Sequence, residues 1–217
     1  MGARVISAAD VPVAHVCERD WRMAQLVRVI GPIEFYVSES GFANLAHSII
    51  EQMLSIKAAA TIDARLRDLC GGELAPEPLA ALSVEQIRGV GVSRRKAENL
   101  HHLACTVTEA DLDALATLPD AEVRAWLMAL PGVGAWTADM FMMFQLERPD
   151  LLPVGDLTFR RAFEWLYGVP VEDANVQKVV CDLWRPYRSY AARYLYQALD
   201  TGLVAQGSAP EVLGFAG

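Results

Sequence analysis

The stretch Leu130-Pro131-Gly132-Val133-Gly134-Ala135-Trp136-Thr137-Ala138 constrains the fold of this chain more than any other segment. Two glycines one residue apart, behind a proline and ahead of helix-forming residues, specify a tight turn between two helices. Such a turn offers unpaired backbone N–H groups at the positive end of a helix dipole, an arrangement that suits an anion. A bare Gly-x-Gly between helices is also a common turn that binds nothing. The same form recurs at Gly89-Val90-Gly91 without the proline, where no strand precedes it to make a dinucleotide fingerprint.

The rest of the chain reads as helix: strand-like alternation is absent, and Ala, Leu, Glu, Gln and Arg dominate the long segments. Helices are predicted over residues 20–30, 42–57, 60–69, 94–104 and 111–117, with a short one from the capping box Ser83-Val84-Glu85-Gln86. Further helices are predicted over 121–129 behind Asp120, 136–146, 157–166 behind Asp156, 175–184 and 190–201. In the second of these, Phe42, Leu45, Ile49, Met53 and Ile56 share one face at helical spacing.

At 217 residues and 53% hydrophobic, the chain can bury a core as one domain or as two packed lobes. No run approaches the about eighteen apolar residues of a membrane span, and no signal peptide opens the chain, so a cytoplasmic protein with no membrane partner is expected. Cys17, Cys70, Cys105 and Cys181 are scattered without a C-x-x-C pair, which disfavours zinc and a disulfide framework. The four histidines show no metal-ligand spacing, and His47 reads as a satisfied, partly buried side chain. A net charge of −8 opposes a nucleic-acid partner, whose affinity comes from neutralised phosphates. Distribution tempers this. Arg88, Arg94, Arg95 and Lys96 cluster behind the first glycine turn, and Arg160, Arg161, Arg185, Arg188 and Arg193 lie in the C-terminal third.

Together with the downstream Val154-Gly155-Asp156, the nine-residue hairpin resembles the helix-hairpin-helix (HhH-GPD) DNA glycosylase superfamily, and within it the alkyl-base, 3-methyladenine glycosylase II branch. Two further segments are similar to that branch. Trp184-Arg185-Pro186-Tyr187-Arg188-Ser189-Tyr190-Ala191 fits a W-x-P-x-R-S-x-A signature. Residues 49–59 fit I-x-G-Q-Q-x-S-x-x-A-A at Gln52 and Ser55 and depart from it at Glu51 and Met53. The resemblance implies an all-α, two-lobed fold with the active-site cleft between the lobes. It implies one glycosylase unit over residues 1–217, with the helix-hairpin-helix at about 121–146.

The resemblance also assigns roles. Backbone N–H groups of Gly132, Gly134 and Thr137 would hold a DNA phosphate, and the carbonyls of Met128, Leu130 and Val133 would form a site for Na⁺ or K⁺. Asp156 would be the catalytic carboxylate, stabilising an oxocarbenium-like sugar and orienting the water that attacks C1′. It is equally a favourable N-cap, and both roles can hold at once. Trp136 stands where lyase-competent members carry a lysine, and no lysine occurs between Lys96 and Lys178, so the amine route lacks its nucleophile. Trp136 and Tyr196 match positions that line the base pocket, where an aromatic face favours a cationic alkylated purine; each ring can also be a core filler. Met53 would be the wedge that fills the gap left by a flipped base, with Gln52 reading the orphaned partner; Met53 fits a plain core position equally well. Trp184 reads as structural, with Arg188 near Asp156 or a phosphate.

No organic cofactor is implied, and no iron–sulfur cluster, since Cys181 alone lies near the C-terminus. The expected activity is monofunctional hydrolysis of the N-glycosidic bond of alkylated bases in double-stranded DNA, by a monomer and without lyase activity. Three alternatives stay open: a catalytically silent protein that binds damaged or bent DNA, a glycosylase for another lesion, and a helical protein-interaction domain.

Overall fold

The computed structural model describes residues 2–38 and 40–214, and it is largely helical, as expected. The described chain divides into two compact units: residues 38–146, and residues 2–37 together with residues 147–214. Among the described residues no helix is long and apolar enough to cross a membrane.

In the first unit the helix Gly41–Glu51 is central, with Phe42, Leu45, Ile49 and Ile50 fully buried. It packs against the helices Ile56–Leu69, Arg94–Thr106 and Glu109–Ala114 and the wide π turn Phe141–Gln145. Ser40 starts it: its hydroxyl accepts the Ala43 N–H at 2.8 Å and donates to the Glu109 carboxylate. The single helix predicted over 42–57 does not form. The chain turns at Gln52, and Ser55 caps a new helix by accepting the Ala58 N–H at 3.3 Å. The apolar stripe continues through this break, but the competing N-cap serine ends the helix. Met53 therefore leaves the shared face and is fully exposed; the side chain of Ile56 lies outside the described residues. The helix expected over 136–146 is present as Ala135–Met140 followed by the π turn.

The second unit contains two strands where only helix is expected from the sequence. β1 (Gly2–Ile6) and β2 (Ile33–Val37) pair antiparallel, from Gly2 opposite Val37 to Ile6 opposite Ile33. Five residues of alternation are a weak signal, and the two strands are separated by helices Val11–Arg19 and Trp21–Ile30 rather than by a hairpin turn. Helix Arg188–Asp200 packs on those two helices and on Leu157–Tyr167. Residues 175–184 form two pieces, Ala174–Val179 and a 3₁₀ turn Cys181–Trp184, not one helix.

Asp20 joins several of these elements. Its Oδ1 caps Trp21–Ile30 through the N–H groups of Arg22 and Met23, at 3.0 and 3.2 Å. Its Oδ2 accepts the Tyr167 hydroxyl at 2.6 Å and the Trp184 indole N–H at 2.9 Å. Trp184 is fully buried, consistent with its structural reading, and stacks edge-on against Phe163. Burial first, and the Asp20 carboxylate second, push the Tyr167 phenol well above its usual range, so it stays a donor.

Candidate active site

In the first unit, helix Asp120–Met128 leads into the glycine hairpin, with Pro119 at the cap position and Asp120 in the first turn rather than capping it. The turn closes through Val133 N–H to Leu130 C=O at 3.1 Å, with Gly132 at φ +86°. Gly134 then precedes helix Ala135–Met140, whose first bond runs from Ala138 N–H to Gly134 C=O at 3.0 Å. The N–H groups of that first turn, Thr137 among them, have no carbonyl one turn back within the helix. Arg124 on the entering helix pairs with buried Asp139 on the leaving one, so Asp139 is a brace across the hairpin. Burial raises the Asp139 carboxyl, with Arg124 opposing.

Gly132 is needed for two reasons. Its φ favours glycine, and a Cβ there would lie 2.8 Å from Asn99 Cγ and 3.0 Å from Asn99 Cβ. Asn99, on helix Arg94–Thr106, carries no signal in the sequence.

The turn at residues 52–55 is tied to this hairpin. The Gln52 amide donates to the Gly132 carbonyl at 2.8 Å and to the Thr137 hydroxyl at 3.1 Å. The side chain expected to read an orphaned base thus has its amide nitrogen engaged with the hairpin. The Lys96 ammonium donates to the carbonyls of Ile50, at 2.7 Å, and Gln52. Lys96 therefore works inside the unit rather than in a basic patch, and burial lowers its pKa. Next to these two clamps in the chain, Met53 has φ +59° and projects into solvent. Behind the turn, His47 meets Asp63 at 3.1 Å and Arg67 meets it at 2.6 Å, which agrees with the satisfied, partly buried histidine expected.

In the second unit Asp156 is buried and opens helix Leu157–Tyr167. Its Oδ1 accepts the Phe159 N–H at 2.7 Å, and its own N–H reaches the Pro153 carbonyl at 2.9 Å. The cap thus fixes where the carboxylate points. Half-buried Tyr196 packs its ring 6.3 Å from that of Phe159, the residue whose N–H the Asp156 carboxylate accepts. In the first unit, half-buried Trp136 is the second residue of helix Ala135–Met140.

Arg188, expected beside Asp156 or a phosphate, is instead taken up by Asp150. Its Nε and Nη2 meet the two carboxylate oxygens at 2.7 and 3.1 Å, and Nη2 also reaches the Asp150 carbonyl at 2.7 Å. Arg185 meets the same carboxylate at 2.9 Å. A two-pronged guanidinium–carboxylate pair of this kind is geometrically locked, so Arg188 acts as a brace.

A family model described as HhH-GPD superfamily base excision DNA repair protein matches residues 46–189. A curated DNA-3-methyladenine glycosylase 1 of Schizosaccharomyces pombe is 26% identical over 202 residues, which span 88% of this chain and 87% of that protein. Among solved structures, a DNA-3-methyladenine glycosidase from Bacillus halodurans has a TM-score of 0.85 at 36% identity, covering 97% of this chain and 99% of that one. A 3-methyladenine DNA glycosylase of S. pombe in complex with abasic DNA has a TM-score of 0.73 at 25% identity, covering 88% and 97%.

Proposed function

Because the chain belongs to the HhH-GPD superfamily of base excision DNA repair proteins, we propose that it is a monofunctional DNA glycosylase that removes alkylated bases. The observation that carries this reading is Asp156, a buried carboxylate fixed at a helix start by the Phe159 N–H. As the bond from C1′ to the base breaks, its electron pair leaves with the base and positive charge grows on the sugar. A fixed carboxylate stabilises that charge without reorganising, and it orients the water that then attacks C1′. A 3-methyladenine or 7-methylguanine is cationic while attached and leaves neutral, so little help from an acid is required. The aromatic faces of Trp136 and Tyr196 suit such a cation. With Trp136 in the position of the lyase lysine, water is the nucleophile and an abasic site is the product.

The glycine hairpin supports the DNA contact through backbone N–H groups, those of Gly132, Gly134 and the first-turn Thr137 being the donors on this reading. The Na⁺ or K⁺ site fits the same turn. Helix Asp120–Met128 ends there with the negative end of its dipole, and the Leu130 oxygen keeps a second lone pair beyond its bond from Val133. Met128, Leu130 and Val133 would hold the ion by their carbonyls, where it would neutralise phosphate charge. The family match crosses from one compact unit into the other, which supports a single catalytic unit over the whole chain. A monomer acting on double-stranded DNA in the cytoplasm completes the reading.

The test is release of free base from methylated duplex DNA by the protein and by Asp156→Asn, read by chromatography. Asparagine caps a helix about as well as aspartate, so the fold is expected to be kept while release falls about a hundredfold or more. Release of neither 3-methyladenine nor 7-methylguanine, with DNA binding intact, would leave a binder or an enzyme for another lesion.

A further inference from the structure

Met53 is held in a backbone conformation that L residues with a side chain rarely adopt, and such strain persists only where the surroundings over-determine it. The surroundings are few and specific. The helix Gly41–Glu51 ends at this point, and the Leu54 N–H closes onto the Glu51 carbonyl at 2.9 Å. The carbonyls on either side, of Ile50 and Gln52, both accept from the Lys96 ammonium. A cation at the C-terminal end of a helix satisfies carbonyls that lack intrahelical donors and meets the negative end of the dipole. Met53 itself gains nothing from the arrangement within the protein, since its side chain is fully in solvent.

We propose that Lys96 is a positioning residue for the wedge, its ammonium clamping the turn so that Met53 is presented in the conformation that enters the base stack. The proposal rests on the glycosylase reading for what the wedge does. It differs from that reading in assigning to Lys96 an action through the Met53 backbone, with no contact to DNA. Preset geometry spares the complex the ordering of this turn at the moment the base leaves the stack.

The experiment is a double-mutant cycle with Lys96→Met, which keeps the aliphatic stem and removes the ammonium, and Met53→Ala. Two quantities are read on the full chain: single-turnover release of 7-methylguanine from duplex DNA, and preference for a duplex bearing an abasic-site analogue over the unmodified duplex. Each single variant is expected to lose about tenfold in both, and the double variant to be no worse than Met53→Ala alone. Full additivity overturns the proposal, because a phosphate contact or a general loss of fold adds to the loss of the wedge. Wild-type behaviour of either single variant overturns it too. If Lys96→Met does not fold, Lys96→Leu, which also lacks a donor and keeps part of the aliphatic stem, replaces it in the cycle. If the wild-type protein releases no base, the glycosylase reading fails by itself, and the cycle is decided on abasic-site preference. If that preference is absent as well, both fall.

Discussion

The side-chain amide of Gln52 donates to both the Gly132 carbonyl and the Thr137 hydroxyl, so the turn that presents Met53 and the glycine hairpin form one hydrogen-bonded piece. A network of this kind fixes the offset between the two features more firmly than either bond does separately.

Gln52→Ala is expected to destabilise the protein by about 1–2 kcal/mol, since it leaves two partly buried groups without their donor. Gln52→Glu is expected to be worse than Ala, because it sets a carboxylate against the Gly132 carbonyl. Chemical denaturation of both variants checks this. Unchanged stability with an altered preference for the base opposite the lesion would restore the base-reading role.

Gly132→Ala is expected to cost stability and DNA affinity together. The positive φ alone is worth about 1 kcal/mol or more, and the new methyl meets Asn99. Adding Asn99→Ala removes the collision but not the backbone strain, so the double variant should recover part of the loss and no more. Complete recovery would mean that φ at this turn is unimportant.

The His47–Asp63–Arg67 group predicts a pH dependence of stability. The hydrogen bond to Asp63 raises the His47 pKa against the opposing effect of burial. Its contribution is therefore complete below the unfolded value of about 6.5 and is lost as pH rises through the higher native value. Burial pushes Asp63 up, but the bonds from His47 and Arg67 together outweigh it and the net shift is downward. That contribution is present above about 3.9 and is lost as pH falls through the lower native value. The stability gap between the protein and His47→Gln should be widest at about pH 5–6 and narrow by about pH 8. The gap should be small throughout, because the imidazole is 40% exposed. Urea midpoints at the two pH values decide it, and a gap that widens toward alkaline pH would mean that the native pKa of His47 lies below its unfolded value.

Asp20→Ala removes a helix cap and strands the Tyr167 hydroxyl and the Trp184 indole N–H inside the second unit. The cap is worth about 1 kcal/mol and each stranded donor about 1–3 kcal/mol, so a loss of at least about 3 kcal/mol is expected. Asp20→Asn keeps an oxygen acceptor and should lose clearly less. Calorimetry on the two variants separates these outcomes.

Most of the helices, the hairpin and the cap at Asp156 were legible because each is encoded locally, by spacing, by a glycine pair or by a capping residue, whereas the predictions over 42–57 and 175–184 ran through breaks. The strands were not, because the partner of Ile33–Val37 lies beyond two intervening helices. Gln52, Lys96 and Arg188 illustrate a different limit. Their types suit DNA, and only the fold reveals that Gly132, the carbonyls of Ile50 and Gln52, and Asp150 already occupy them. Asn99 gave no signal at all, since its role is to sit against a missing Cβ.

The division of the chain also orders its assembly during synthesis. Residues 38–146 are contiguous and can condense while the remainder is still being made, whereas the other unit awaits the last helices. Trp184 reaches back 164 residues to Asp20, and the Tyr194 hydroxyl 188 residues to the Ile6 carbonyl. Until those helices emerge, the Ile6 carbonyl and Oδ2 of Asp20 lack their partners from the C-terminal segment. A nascent chain stalled before residue 184 would thus carry a finished hairpin but an open second unit, and the early strands would be its exposed, adhesive edge.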